Sequence, residues 1–470
     1  MVIARLADAL GRGVEDISSS VSEAFFEPVI RLGVTGLSRA GKTVFITSLV
    51  ANLTQRARMP GLQASSSGAI RAAFLQPQPD DTVPRFDYER YLAALTSPTP
   101  HWPESTRAIS ELRLSFRVQP TGLLGSLKGP RTIHLDIVDY PGEWLLDLAL
   151  LNKDYESWSR DVLSKAALRR ESAEFLAQID LIKPDARHDE LTAKALAEGY
   201  TAFLHKAQDA GSYDLTPGRF LLPGELAGSP ALTFAPLPEG PSPRRSLRRE
   251  MARRYDAYVG QVVKPFFRDH FARIDRQIVL VDALGAIHKG PRAVEEMRNA
   301  MAEILSAFRP GRNSFLSALM GKRIDRILFA ATKADHLHHT QHPQLTAIME
   351  ALVQEARARA DFSGAQTQAM SIAALRATVE ETRSHNGDAL NVVRGTLLDS
   401  GKPAALYPGD LPRDPNQLIS AAREGATEWL NADYQIMNFA PAQLSLGPGE
   451  GPPHIRLDRA AEFLFGDKLR

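Results

Sequence analysis

Gly36-Leu37-Ser38-Arg39-Ala40-Gly41-Lys42-Thr43 joins the β-branched run VIRLGVTG (Val29–Gly36) to the helical run KTVFITSLVANL (Lys42–Leu53). The octad fits G-x-x-x-x-G-K-[ST], and it stands where that pattern has a mechanism, after a strand and at the start of a helix. A plain glycine turn would match the spacing but not this placement. Glycines let the backbone curl so that successive N–H groups face a β-phosphate, and the helix N-terminus adds partial positive charge. Lys42 then reaches the β- and γ-phosphates and Thr43 ligates magnesium. Gly36, Ser38, Arg39, Ala40, Gly41 and Val44 complete the expected cradle. Arg39 reads either as a solvated or salt-bridged arginine or as an internal arginine finger on the γ-phosphate.

Downstream, Asp139-Tyr140-Pro141-Gly142 ends the strand-like IHLDIVD. It fits D-x-x-G, in which Asp139 holds magnesium, usually through water, and the Gly142 N–H faces the γ-phosphate. Alone, the tetrad is also good turn chemistry. Thr332-Lys333-Ala334-Asp335 follows the apolar ILFAA and fits the [NT]-K-x-D pattern that reads guanine. A carboxylate accepts from guanine N1–H and the 2-amino group together, whereas adenine offers a bare acceptor at N1 and no 2-amino group. A helix cap at Asp335 is the plainer alternative. Ser371-Ile372-Ala373 matches the loose S-A-type loop whose backbone N–H meets guanine O6.

Around these motifs, the 470-residue chain carries 56 basic and 55 acidic side chains and no cysteine. The near balance leaves no global field toward nucleic acid or an anionic membrane, and thiolate metal sites and disulfides are excluded. No run of about 18 apolar residues occurs, so a cytoplasmic protein without a transmembrane segment is expected. Leu6, Leu10, Val14, Ile17, Val21 and Phe25 form one stripe of an amphipathic helix over residues 1–30, closed by Pro28. Acidic Asp8, Glu15, Asp16 and Glu23 opposite that stripe favour docking on the body over membrane binding. Strands are predicted over 108–118 and 132–138 as antiparallel neighbours, and QIVLVDAL, RILFAATKAD and TQAMSIAAL supply further buried strands alternating with helices. The domains read as 31–144, a helical insert at 145–272, and 273–470, with a hairpin excursion near 375–400 around Asn386-Gly387 and a C-terminal helix.

The motifs occur in the order of the small-GTPase-like (Ras-like) fold, and LDIVDYPGE resembles that superfamily's second switch. GLSRAGKTVFITSL, DYPGEW, TKADH and the ending HIRLDRAAEFLFGDKL together resemble the YcjX family of bacterial proteins over almost the whole chain. The fold class expected is thus a P-loop NTPase three-layer α/β sheet of Ras-like type with an inserted helical domain. The resemblance implies a cytosolic GTP/GDP- and Mg2+-binding protein associated with stress responses, with an inner-membrane partner of the YcjF kind.

One departure matters. Small GTPases orient the attacking water with a glutamine directly after D-x-x-G, and here Glu143 stands there. A carboxylate near the γ-phosphate is repelled unless protonated or turned away, so slow turnover is expected. Thr106 is the first-switch candidate for magnesium, with Thr96 and Thr99 behind it. The roughly 60 residues preceding Thr106 exceed a loop's ordinary length and should hold elements of their own. The expected catalytic set is Lys42, Thr106, Gly142 and Glu143, and the expected metal set Thr43, Thr106 and Asp139. Alternatives are a protein that holds nucleotide without turnover, and an ATPase or small-molecule kinase for which TKAD is coincidence. The arginine run Arg244 to Arg254 reads as a solvated helix face before a lipid contact. His336, His338, His339 and His342, with no paired carboxylate or cysteine beside them, read as a solvent-facing loop rather than a zinc site. No nucleic-acid module or serine-histidine-aspartate arrangement is visible.

Overall fold

The computed structural model describes residues 27–37, 39–104, 108–119, 129–307, 324–354, 357–358, 364–385, 387–424 and 436–470. The amphipathic stripe before Glu27, Ser38, Thr106 and Asn386 lie outside them. The strands are β1 (Val29–Gly36), β2 (Ile70–Gln76), β3 (Ser110–Val118), β4 (Arg131–Asp139), β5 (Arg276–Val281), β6 (Arg326–Ala331) and β7 (Gln366–Ser371), in the spatial order β2-β3-β4-β1-β5-β6-β7. From β4 to β7 every pairing is parallel. β3 runs antiparallel to both β2 and β4, with Ser110 opposite Asp139 and Val118 opposite Arg131, the neighbour relation expected from sequence. The edge strand β2 is one of the elements in the long stretch before Thr106. This is an α/β protein.

β5 is buried at every residue and β6 at all but its first, as continuous apolar runs require when helices cover both faces. Alternation along the strands divides two cores. Ile278, Leu280 and Leu328 join Ile30, Leu32 and Val34 under α1 (Lys42–Gln55), where Phe45, Ile46 and Leu49 pack. Val279, Val281 and Phe329 face the other way. That second core contains the helices between β4 and β5, chiefly α2 (Tyr155–Ala166), α3 (Glu190–Ala210) and α4 (Leu247–Tyr258). It also contains α5 (Pro291–Ala307) and α6 (His342–Leu352). The C-terminal helix α7 (Leu457–Phe465) returns to the α1 face. A second sheet, β8 (Val379–His385), β9 (Asp388–Thr396) and β10 (Pro403–Leu406), is antiparallel with β9 central.

Trp158 centres the helical layer, 1% exposed, with Tyr155, Tyr200, Phe234 and Tyr255 rings 5.0 to 6.0 Å away. The arginine run divides: Arg244, Arg245, Arg249 and Arg253 are exposed, as a solvated face requires, and two of the six turn inward. Arg248 is buried against the Leu237 and Pro238 carbonyls and Glu156, and Arg254 binds Glu190 and Glu250. Their partners Glu156 and Glu190 are exposed, so these ion pairs sit at the rim of the helical layer. Among the described residues no helix is long and apolar enough to cross a membrane. Trp158→Ala should lower the unfolding free energy by about 3–5 kcal/mol in urea melts. Leu181→Ala, at 85% exposure, should change it by less than about 0.5 kcal/mol.

Candidate functional site

The parallel strands end side by side, and their outgoing loops meet beyond the carboxyl edge of the sheet, where open α/β sheets bind ligands. β1 delivers the glycine-flanked octad. Gly41 holds φ +81° with open space where a Cβ would go, so its backbone conformation, not crowding, calls for glycine. Arg39 holds φ 64° without that freedom, a strained position of the kind that clusters at ligand sites. The helix starts with Phe45 N–H donating to Gly41 O at 2.9 Å, and Lys42 Nζ folds back to Gly36 O at 3.4 Å. Thr43 is buried.

β4 pairs with β1 so that Asp139 sits opposite Val34, buried at the base of the loop. Gly142 then abuts the octad. A Cβ on Gly142 would lie 1.8 Å from the Gly36 carbonyl oxygen, a backbone contact that cannot yield. Glu143 points elsewhere: it is 9% exposed and its Oε1 accepts from Gln208 Nε2 of α3 at 3.4 Å. Asp147 continues the same segment, accepting from Gly218 N–H at 2.7 Å and Tyr258 hydroxyl at 2.6 Å. Burial pushes its carboxyl up to about 6.

β6 delivers Thr332, whose N–H donates to Val281 O at 2.9 Å. Lys333, at φ 59°, pairs with Asp282 at the end of β5. Asp335 is 4% exposed; its Oδ2 accepts the Ala377 N–H at 2.9 Å and its carbonyl takes the Thr378 hydroxyl. A cavity of about 350 Å3 unites the two motifs, lined by Arg39 to Phe45 and by Thr332, Lys333, Asp335 and His336. Its volume lies within the range of about 300–1,000 Å3 common for small-molecule sites.

Ser371 and Ile372 do not line this cavity; Ala373, Ala374 and Leu375 do. Ser371 is fully buried and engaged by Thr346, the His342 carbonyl and Arg456. Thr96 spends its hydroxyl on Leu92 O within its own helix. Sequence reasoning missed Trp102, Pro103, Leu398, Asn438 and Phe439, which close the cavity's remaining wall. Trp102 Nε1 donates to Phe439 O at 2.8 Å. The Phe439 segment in turn pairs with the end of β9 through Leu398 N–H to Asn438 O and Ala440 N–H to Thr396 O, both 2.8 Å. An aromatic beside the first-switch candidates was the only local hint.

The histidines correct a second expectation. His336, His338 and His342 are buried, and only His339 faces solvent. His336 packs edge-on to Phe439 at 5.3 Å, and burial lowers its basicity. His342 donates to the Ala334 carbonyl at 2.8 Å, which braces the loop.

Residues 30–469 match the family described as YcjX-like family, DUF463. The chain is 38% identical over 456 residues to the Ras-like GTPase YcjX of Escherichia coli K12, covering 94% of this chain and 96% of that one. It is 37% identical over 468 residues to the Ras-like GTPase YcjX of Shewanella oneidensis MR-1, covering 94% of each. Likeness along nearly the full length of both relatives, with the octad and TKAD meeting at one cavity, makes the chain a member of the YcjX-like family.

Proposed function

We propose that this protein binds a guanine nucleotide with magnesium in the 350 Å3 cavity and hydrolyses GTP slowly, as a switch of small-GTPase type. The observation that carries this is the shared cavity: a phosphate loop at one end and the buried Asp335 carboxylate at the other. The naming of both relatives as Ras-like GTPases supports the same reading. Asp335, braced by Ala377 N–H, would read guanine N1–H and the 2-amino group. Lys42 would leave the Gly36 carbonyl for the β- and γ-phosphates. Thr43 and Asp139, buried beside one another's loops, offer the hard oxygen donors that magnesium takes, and the bound cation would neutralise phosphate charge. Gly142 would turn its N–H to the γ-phosphate. Ser38 and Thr106 stay in the proposal as loop and first-switch ligands, from sequence alone.

Slow turnover rests on Glu143, which is occupied by Gln208 rather than aimed at the cavity. That contact also favours the second reading, a nucleotide holder with little hydrolysis. The stretch 145–272 is the proposed output layer, since Glu143 and Asp147 tie it to the D-x-x-G segment. The stress-related role, the cytoplasmic location and a YcjF-type membrane partner rest on resemblance.

Titration of the purified protein with labelled GTP and ATP in magnesium should give tight GTP and weak ATP binding. Asp335→Ala should weaken GTP by about 1.5–3 kcal/mol and leave ATP unchanged. Equal loss for both, or an ATP preference in the parent, would reduce the reading to a generic phosphate site. Gly142→Ala forces the segment off the Gly36 carbonyl. It should keep GDP affinity within about threefold, a backbone-only change on the γ side. Phosphate release in single-turnover assays should stop, and unaltered release would remove Gly142 from the mechanism.

A further inference from the structure

His338, His339 and Glu380 come together although they lie some forty positions apart in sequence, His338 and His339 on the loop after Asp335 and Glu380 on β8. One ligand atom from each falls within 4.8 Å of the others. His339 Nδ1 is 2.5 Å and His338 Nε2 3.6 Å from Glu380 Oε2. Tetrahedral zinc with bonds of about 2.0–2.1 Å sets its ligand atoms about 3.4 Å apart. The His338 distance already fits, and the His339 side chain, 65% exposed, has room to turn and open its own.

The outer contacts suit a metal as well. His338 Nδ1 lies 3.0 Å from the Thr340 hydroxyl and accepts the Thr340 backbone N–H at 3.5 Å; metal at Nε2 moves the ring hydrogen to Nδ1, where the hydroxyl accepts it in place of that long N–H contact. Arg376 Nη2 lies 3.3 Å from Glu380 Oε1, leaving Oε2 for the cation. The arginine charge opposes a divalent ion, and the anionic Glu380 between them offsets it. Two imidazoles and one carboxylate with an exposed fourth position match the donor set of zinc.

We infer that His338, His339 and Glu380 form a zinc site that staples the Asp335 loop to β8. The same join already holds the Asp335–Ala377 and Asp335–Thr378 hydrogen bonds, so the metal rigidifies the wall of the cavity beside Asp335. Metal at His339 Nδ1 moves that ring's hydrogen to Nε2 and replaces the contact with Glu380 by a shared cation.

The test uses untagged full-length protein, chelator-treated and free of nucleotide, titrated calorimetrically with Zn2+ and followed with Co2+ by visible absorption. The parent should take up one equivalent more than His339→Ala or Glu380→Gln, with d–d bands only in the parent. Thr340→Val should weaken that equivalent by about tenfold. Amide exchange across residues 377–381 should slow with Zn2+ in the parent alone. Equal stoichiometry and affinity in the parent and both ligand variants, with circular dichroism showing all folded, would reduce the cluster to a histidine-carboxylate ion pair. Because no nucleotide is present, that failure would leave the guanine-nucleotide reading standing, and loss of GTP binding would leave the zinc site standing.

Discussion

The placement of β1 between β4 and β5 is the constraint from which the cavity follows. Parallel pairing holds Val34 level with Asp139 and Gly36 level with Leu280, so the octad leaves the sheet with D-x-x-G on one flank and Asp282 on the other. The register continues outward, Val281 to Ala331 and Ala331 to Ser371, and each next loop emerges at the same height. No long-range search is needed to bring Lys42, Asp139 and Asp335 to one edge. Hydrogen bonding along the strands does it, and the apolar faces on either side keep the strands from slipping.

The charges at that edge are unbalanced by design of position rather than by composition. Arg39, Lys42 and Lys333 line the cavity, and Lys289 is close enough to Arg39 for their repulsion to add to the burial that lowers its basicity. Asp335 also lines the cavity but accepts Ala377 N–H, and Asp282 pairs with Lys333 and caps the helix that follows through Gly285 N–H at 2.9 Å, so the two carboxylates answer only part of this. Gathering like charges in a partly desolvated pocket is unfavourable until an anion enters. A polyphosphate is the kind of anion that relieves it, whereas a neutral ligand would leave the repulsion in place.

What the sequence made legible was local. The octad, D-x-x-G and TKAD each encode their geometry within a few residues, and the buried runs of β5 and β6 announce central strands. The cavity's remaining wall depends on contacts such as Trp102 with Phe439, 337 positions apart, and nothing in either neighbourhood marks the other. The S-A-type loop was legible in place but not in detail, because Ser371 is consumed by Thr346, His342 and Arg456 and the lining passes to Ala373 and beyond. The histidines misled, as did Arg248 and Arg254 within the arginine run. A polar cluster looks solvated until the tertiary partners, here Phe439, Glu380 and Glu156, are known.

The helices between β4 and β5 share one core with the sheet face that carries β5 and β6. Their link to the cavity is short: Gly142 touches Gly36, Glu143 binds Gln208, and Asp147 joins Gly218 and Tyr258. The Gly142 and Asp147 contacts are buried with little slack, the Glu143–Gln208 bond is longer at 3.4 Å, and a close-packed interior shifts between discrete arrangements rather than bending smoothly. A change at Gly142 of even an ångström therefore meets Glu143 and Asp147 before it meets solvent. Asp147 is the firmest of these, because withdrawing it would strand a buried carboxyl and two donors at once. The rings of Tyr155, Tyr200, Phe234 and Tyr255 around Trp158 join the helices of this layer to one another, so strain passed through Glu143 and Asp147 is shared by the layer rather than absorbed at one helix.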